Sequence, residues 1–164
     1  MKTISTTILT LIALVAAATA GTYKVPKKEP IASIAFPDKW KITEEDEILE
    51  ATTADEDIYI AIEFHKAEAI QEAVEQTFVY LAEHKVKIDK ASQKKQEADV
   101  KGIHVINYDW NGEDADGKCK ISLSVLAVTE TKVLLMLYWA SPEAEKKHEK
   151  ELGLIQESIA KLAK

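Results

Sequence analysis

The chain has 164 residues, 46% of them hydrophobic and 30% charged, with a formal net charge of −7. That length fits one domain able to bury about 68–70% of its unfolded surface, with no need of a disulfide or a metal for stability. All 21 basic residues are Lys, and an acidic chain without Arg lacks the planar fork that grips phosphates and guanine edges, so nucleic acid and anionic membrane surfaces are poor partners.

The opening MKTISTTILTLIALVAAATA has a positive end at Lys2, an apolar run from Ile8 to Ala18 and an Ala18-Thr19-Ala20 cleavage signal. The apolar run is shorter than the roughly 20 residues a membrane span needs. No Cys stands at the cleavage point, which disfavours a lipid anchor. We therefore expect a cleaved signal peptide over residues 1–20, a flexible leader over 21–30 (GTYKVPKKEP) and a single α+β domain over 31–164. The mature protein is expected to be periplasmic or secreted, with no stable membrane insertion.

In chain order, Ile31 to Phe36 reads as a short strand and Pro37-Asp38-Lys39-Trp40 as a turn in which Pro supplies a fixed φ. Glu47 to Thr53 reads as a second strand. In 57–65, Ile58, Ile60, Ile62 and Phe64 alternate with Tyr59, Ala61, Glu63 and His65, the period of a half-buried strand. From Glu68 to Lys85 the period becomes helical, with Ile70, Val74, Thr77, Phe78 and Leu81 as the stripe and Glu68, Glu72 and Glu75 loading the N-terminal part. Polar 88–97 is a modest strand. Segments 100–110 and 118–128 flank NGEDADG, the kind of Gly- and Asp-rich connection that closes a hairpin.

Within 118–128, Cys119, Ile121, Leu123, Val125 and Ala127 share one face. Cys119, the only cysteine, thus reads as a small buried hydrophobe. KVLLMLYWA (132–140) is apolar at both parities, as a central strand covered on each face should be. Last comes one helix, capped by Ser141 with Pro142 at its first position, whose stripe is Ala144, His148, Leu152, Ile155, Ile159 and Leu162. The order predicts an antiparallel sheet packed by helices.

FPDKW after the first strand, the single helix, the hairpin DWNGEDADGK, the apolar strand and the terminal IQESIAKL resemble the PsbP-like domain superfamily over about residues 31–163. That group includes periplasmic DcrB-like proteins and a eukaryotic Ran-binding branch. The resemblance implies an α/β/α sandwich around a central antiparallel sheet, and it implies accessory or binding roles rather than catalysis. Plant-type members assist photosystem II, but nothing here matches the residues they use, so only the fold carries over.

Catalytic signatures are missing: there is no G-x-S-x-G, H-E-x-x-H, G-x-x-x-x-G-K or C-x-x-C. No cofactor is expected. Among the four histidines, His65 and His104 would need a third partner to hold zinc and lack its spacing signature. His84 suits a helix C-terminus and His148 a packing position. The hairpin gathers Asp109, Asn111, Asp114 and Asp116, an oxygen-rich set that could hold calcium, although the twelfth position counted from Asp109 is Lys120 rather than a bidentate Glu. Polar, Gly-containing connections are also ordinary hairpin turns. Trp40 reads as a cap over the end of the core. If it lines a cleft instead, it forms a docking anchor with Asp38 and Lys39. Two functions stand: a non-catalytic module that docks on another envelope protein, and a small-ligand or metal-ion (calcium or zinc) binder using the acidic hairpin or a cleft at the sheet edge.

Overall fold

Lys132–Ala140, the segment apolar at both parities, is the middle strand of the molecule. The structure, a computed structural model, describes residues 20–162. In chain order its strands are β1 (Ala20–Val25), β2 (Ala32–Pro37), β3 (Lys41–Glu44), β4 (Ile48–Thr52) and β5 (Ile58–Lys66). A 3-10 turn at Ala67–Ala69 leads into α1 (Ile70–Glu83), followed by β6 (Lys87–Val100), β7 (Ile103–Asp114), β8 (Gly117–Ala127) and β9 (Lys132–Ala140). The chain closes with α2 (Pro142–Lys147), α3 (Glu149–Ser158) and β10 (Ala160–Lys161).

Seven strands form one antiparallel sheet in the order β3-β4-β5-β9-β8-β7-β6. β9 pairs along its whole length with β5 and over most of it with β8, so its odd residues face one layer and its even residues the other. On the odd face α1 buries Ala73, Thr77 and Leu81 against Cys119, Ile121, Leu123, Leu135 and Leu137. On the even face a small sheet, β1-β2-β10, packs Val25, Ile34 and Phe36 onto Ile58, Ile60 and Leu134. α3 lies beside β2, where Ser158 Oγ accepts from the Ala35 amide at 2.8 Å. The layering is the expected α+β sandwich, with the second layer shared between helices and a three-stranded sheet.

The long β6–β7 hairpin turns on Lys101 and Gly102, both at positive φ (50° and 78°), the conformation of a tight two-residue hairpin turn. The next turn uses Gly117 at φ 124°. There Asp114 Oδ1 accepts from the amides of Asp116 and Gly117 at 2.9 and 3.1 Å, a side chain standing in for a backbone turn.

Three expectations need correction. The signal peptide lies outside the described residues except for Ala20, but the supposed flexible leader does not behave as one. Residues 20–25 form β1, paired in register with β2 from Ala20↔Pro37 to Val25↔Ala32, because Tyr23 and Val25 alternate inward between Thr22 and Lys24. The expected cleavage point thus falls on the first residue of a strand. Next, residues 41–44, to which the sequence assigned no element, form a strand, with Ile42 packed at the edge of the core. Finally, the C-terminal helix is two helices broken at His148, and its expected last turn is β10, which pairs with β2.

Val25 is 2% exposed, and burying a Val side chain is worth about 1.5–3 kcal/mol. Val25→Ala should lower unfolding free energy in urea by about that much. A variant as stable as the parent would return residues 21–30 to the status of a leader.

Candidate functional site

The Pro37–Trp40 turn is part of the core. Trp40 is 5% exposed, its ring 5.7 Å from that of Phe36. Its indole Nε1 donates to Glu151 Oε2 at 2.8 Å, and the Lys39 ammonium pairs with the other oxygen of the same carboxylate. His148 Nδ1 lies 3.2 Å from Glu151 and its Nε2 3.4 Å from Asp55. Burial works against charge on Glu151, but the hydrogen bonds from Lys39, Trp40 and His148 outweigh it and hold its carboxyl below the ordinary range. The turn and the α2–α3 junction are therefore stapled together. Only Asp38 and Lys39 of the expected anchor trio are exposed, so the trio is not a docking surface.

The expected metal set also comes apart. Asp109 and Asn111 lie on the face of β7 opposite Asp114, as strand parity requires. Asp109 accepts from the Ser122 hydroxyl. Asp114 spends one oxygen on its turn and the other on Trp139 Nε1 at 2.8 Å. Asp116 is exposed at the tip. His65 and His104 stand on strands three spacings apart, roughly 14 Å, and each bonds a carboxylate near it in the chain, Glu63 and Asp99. Among the described residues, the side chains grouped like metal ligands are Asp55, Asp57 and His148. There the Lys147 ammonium bonds both carboxylates and already supplies the positive charge. Cys119 is buried beneath α1, where burial and then the Asp114 carboxylate push its thiol up to about 11, well away from nucleophilic use.

The feature that remains is on the even face. α3 has only ten residues and lies along β2, so it covers the Ile103 and Leu126 end of that face and leaves β6 and the polar ends of β7 and β8 open. Registers place the side chains there in rows across the sheet. Ala98, Val105, Leu126 and Leu134 form an apolar row, extended on one side by Val100 and Ile103. The next row is Gln96, Asn107, Ser124 and Met136, and the one after it Lys94, Asp109, Ser122 and Tyr138. Asn111 and Lys120 follow. Polarity rises steadily along the strands.

Leu152, Ile155 and Ile159 wall this surface on the helix side, enclosing a cavity of about 360 Å³. A second hollow of about 320 Å³ continues it toward Lys94, Asp109 and Lys120, the two sharing Gln96, Ser122 and Glu145. Together they make a trough with an apolar end and a polar end. Ser124 Oγ donates to Asn107 Oδ1 at 2.6 Å, and Lys120 of β8 reaches across to Glu145 of α2. Tyr138 is different. It lines the cavity, and its hydroxyl is the one buried side-chain polar atom among the described residues that makes no well-formed hydrogen bond. Burial, then the Glu145 carboxylate through its charge and a loose hydrogen bond, raises its pKa far above the usual phenol range, so it stays protonated.

Sequence reasoning missed this trough. The sequence offers Asp109 only as a candidate calcium ligand, and Ser122, Ser124 and Asn107 belong to no motif. Only their registration across four strands makes them the floor of one cavity.

No family model matches the chain and no curated protein does. Solved structures do. Cyanobacterial PsbP (CyanoP) from Synechocystis sp. PCC 6803 aligns with a TM-score of 0.60 at 9% identity, covering 90% of this chain and 95% of that one. LpqN of Mycobacterium tuberculosis, described as involved in cell envelope biogenesis, aligns at 0.56 with 12% identity, covering 88% and 92%. A protein from Bacteroides thetaiotaomicron VPI-5482 aligns at 0.56 with 10% identity over 87% of this chain but 48% of its own. The chain therefore has the PsbP-like fold, which is as far as likeness at this identity reaches.

Trp40→Ala removes a buried indole and leaves Glu151 short of a donor, so unfolding free energy should fall by about 3–5 kcal/mol in urea or thermal melts. An unchanged melting temperature would restore Trp40 as a surface anchor.

Proposed function

We propose that the chain is an exported, non-catalytic binding module of the cell envelope, of the periplasmic DcrB-like kind, and that the trough is the surface through which it binds. The trough itself carries this reading: a hollow of about 360 Å³ with apolar walls, continued by a polar one of about 320 Å³. The polar pairs of the trough argue for binding rather than catalysis. Ser122 bonds Asp109 and Ser124 bonds Asn107, with no imidazole beside either hydroxyl to take up its proton. The expected N-terminal export signal supports the location, and the fold shared with LpqN, described as involved in cell envelope biogenesis, is consistent with it.

Docking on another envelope protein is a second reading, favoured by Phe78 and Val79, adjacent on α1 and 37% and 50% exposed. Two such residues make an anchor point, smaller than a stable interface.

Protein recovered from its own envelope and weighed by native mass spectrometry should begin at Gly21 and carry a bound component. Ala98→Trp, which plugs the trough from an exposed position on the edge strand, should lose that component without losing its fold. An equal load on both proteins, or a chain kept in the cytoplasm with residues 1–20 attached, would overturn the proposal. Loss with Val79→Asp but not with Ala98→Trp would transfer the binding surface to α1.

A further inference from the structure

The large sheet ends on one side in a long strand with nothing beside it. β6 runs from Lys87 to Val100 and pairs only with β7, and residues 93–100 are all exposed. We propose that this edge pairs antiparallel with β6 of a second copy, joining two chains across a two-fold axis at Gln96.

The hairpin turn decides which backbone groups are free. Val100 and Ile103 flank a two-residue turn, so they exchange hydrogen bonds with each other. Residues then alternate along the strand, which turns the N–H and C=O groups of Ala98, Gln96 and Lys94 inward to β7. Those of Asp99, Glu97 and Lys95 point outward, and no strand receives them among the described residues.

The free run is short. Between Asp89 and Lys94 the register slips. There Asp89 accepts from the Ala91 amide at 3.0 Å and Ser92 Oγ accepts from the Asn111 amide at 2.8 Å, a bulge that ends the regular edge. Residues 94–100 are what remains to pair.

Charge selects the occupant. Sheet edges are commonly guarded by Lys, and β6 carries Lys87, Lys90, Lys94 and Lys95, but Glu97 and Asp99 follow them. A strand that matches this order must present it reversed, which is what a second β6 does when it runs antiparallel. Directly opposed residues share a face, so a two-fold pair centres on one residue. Centred on Lys94, Lys95, Glu97 or Asp99, it sets that charge against itself. Centred on Ala98, it opposes Glu97 with Asp99. Centred on Gln96, it opposes Lys95 with Glu97 twice and sets no like charges face to face. Within one chain Lys95 already pairs with Glu97 at 2.5 Å, so the dimer holds four alternating charges together.

The same register closes the open flank of the trough. On the even face Lys94 of the second copy stands beside Ala98, and the row Met136, Ser124, Asn107 and Gln96 continues across the axis into its own copy. No occupant of the trough is needed for this pairing.

Residues 94–98 of each chain pair in this register, a contact below the size of a stable dimer interface. Sedimentation velocity of the purified protein should therefore show a reversible dimer that grows with concentration. Glu97→Lys, which sets Lys against Lys95, should weaken it about tenfold, and the swapped pair Lys95→Glu with Glu97→Lys should restore it. Both positions are exposed, so circular dichroism should report an unchanged fold. Gln96→Cys should form an interchain disulfide on mild oxidation, its opposed Cα atoms lying about 4.5 Å apart and within bridging range. Lys95→Cys and Glu97→Cys, whose copies stand diagonal to one another, should not. Cys119 is 2% exposed and takes no part. A chain that stays monomeric at millimolar concentration would overturn the proposal. So would a dimer indifferent to Glu97→Lys, or one that cross-links as readily at 95 or 97 as at 96.

Discussion

Everything in this molecule is arranged around a strand with no polar face. β9 carries Val133, Leu135 and Leu137 on one side and Leu134, Met136 and Tyr138 on the other, and it pairs with β5 and β8 at the centre of the large sheet. A strand apolar on both faces must be covered on both. The two covers are unequal. α1 spans 14 residues and closes one face with an amphipathic stripe, whereas the other face receives a small sheet and two helices of six and ten residues. That second layer is anchored at the β2 side, through Ser158 to Ala35 and Leu162 to Ile31. It reaches β5 and β9 and stops short of β6. The trough is what an incomplete cover leaves behind.

The staple at Trp40 explains why the second layer holds its position. Glu151 on α3 accepts from Trp40 and pairs with Lys39, while His148 at the helix junction bridges toward Asp55. These contacts fix the α2–α3 break, and with it the wall of the trough, to the turn after β2. A tryptophan just past a proline thus serves the cavity from a distance, by holding the helix that walls it.

Much of this was legible in the chain. Period two in 57–65 and 118–128, period 3.6 in 70–83 and the doubly apolar 132–140 each declare their element because one or both faces are buried. Ser141 and Pro142 declare a helix start, and Ser141 Oγ does accept from the Ala144 amide. What escaped reading depends on distant pairing. β1 and β10 are short, ordinary-looking segments that become strands only because β2 offers an edge on each side. The helix break at His148 has no Gly or Pro to announce it; it reflects the site of the Asp55 and Glu151 carboxylates. The metal candidates misled because closeness in sequence is not closeness in a strand, where alternate residues point to opposite faces. The trough escaped for the complementary reason: its floor comes from four strands, and only their pairing brings Gln96, Asn107, Ser124 and Met136 into one row.

The central claim is that the Tyr138 hydroxyl is buried at the wall of the trough, beside Glu145, without a well-formed hydrogen bond. Urea denaturation of ligand-free Tyr138→Phe against the parent tests it most directly. If the hydroxyl is buried and unpaired, removing it should raise stability by about 1 kcal/mol. A loss of about 1 kcal/mol or more, the usual result of deleting a hydrogen-bonded hydroxyl, would show that Tyr138 is already satisfied and that the trough is only a gap in the packing.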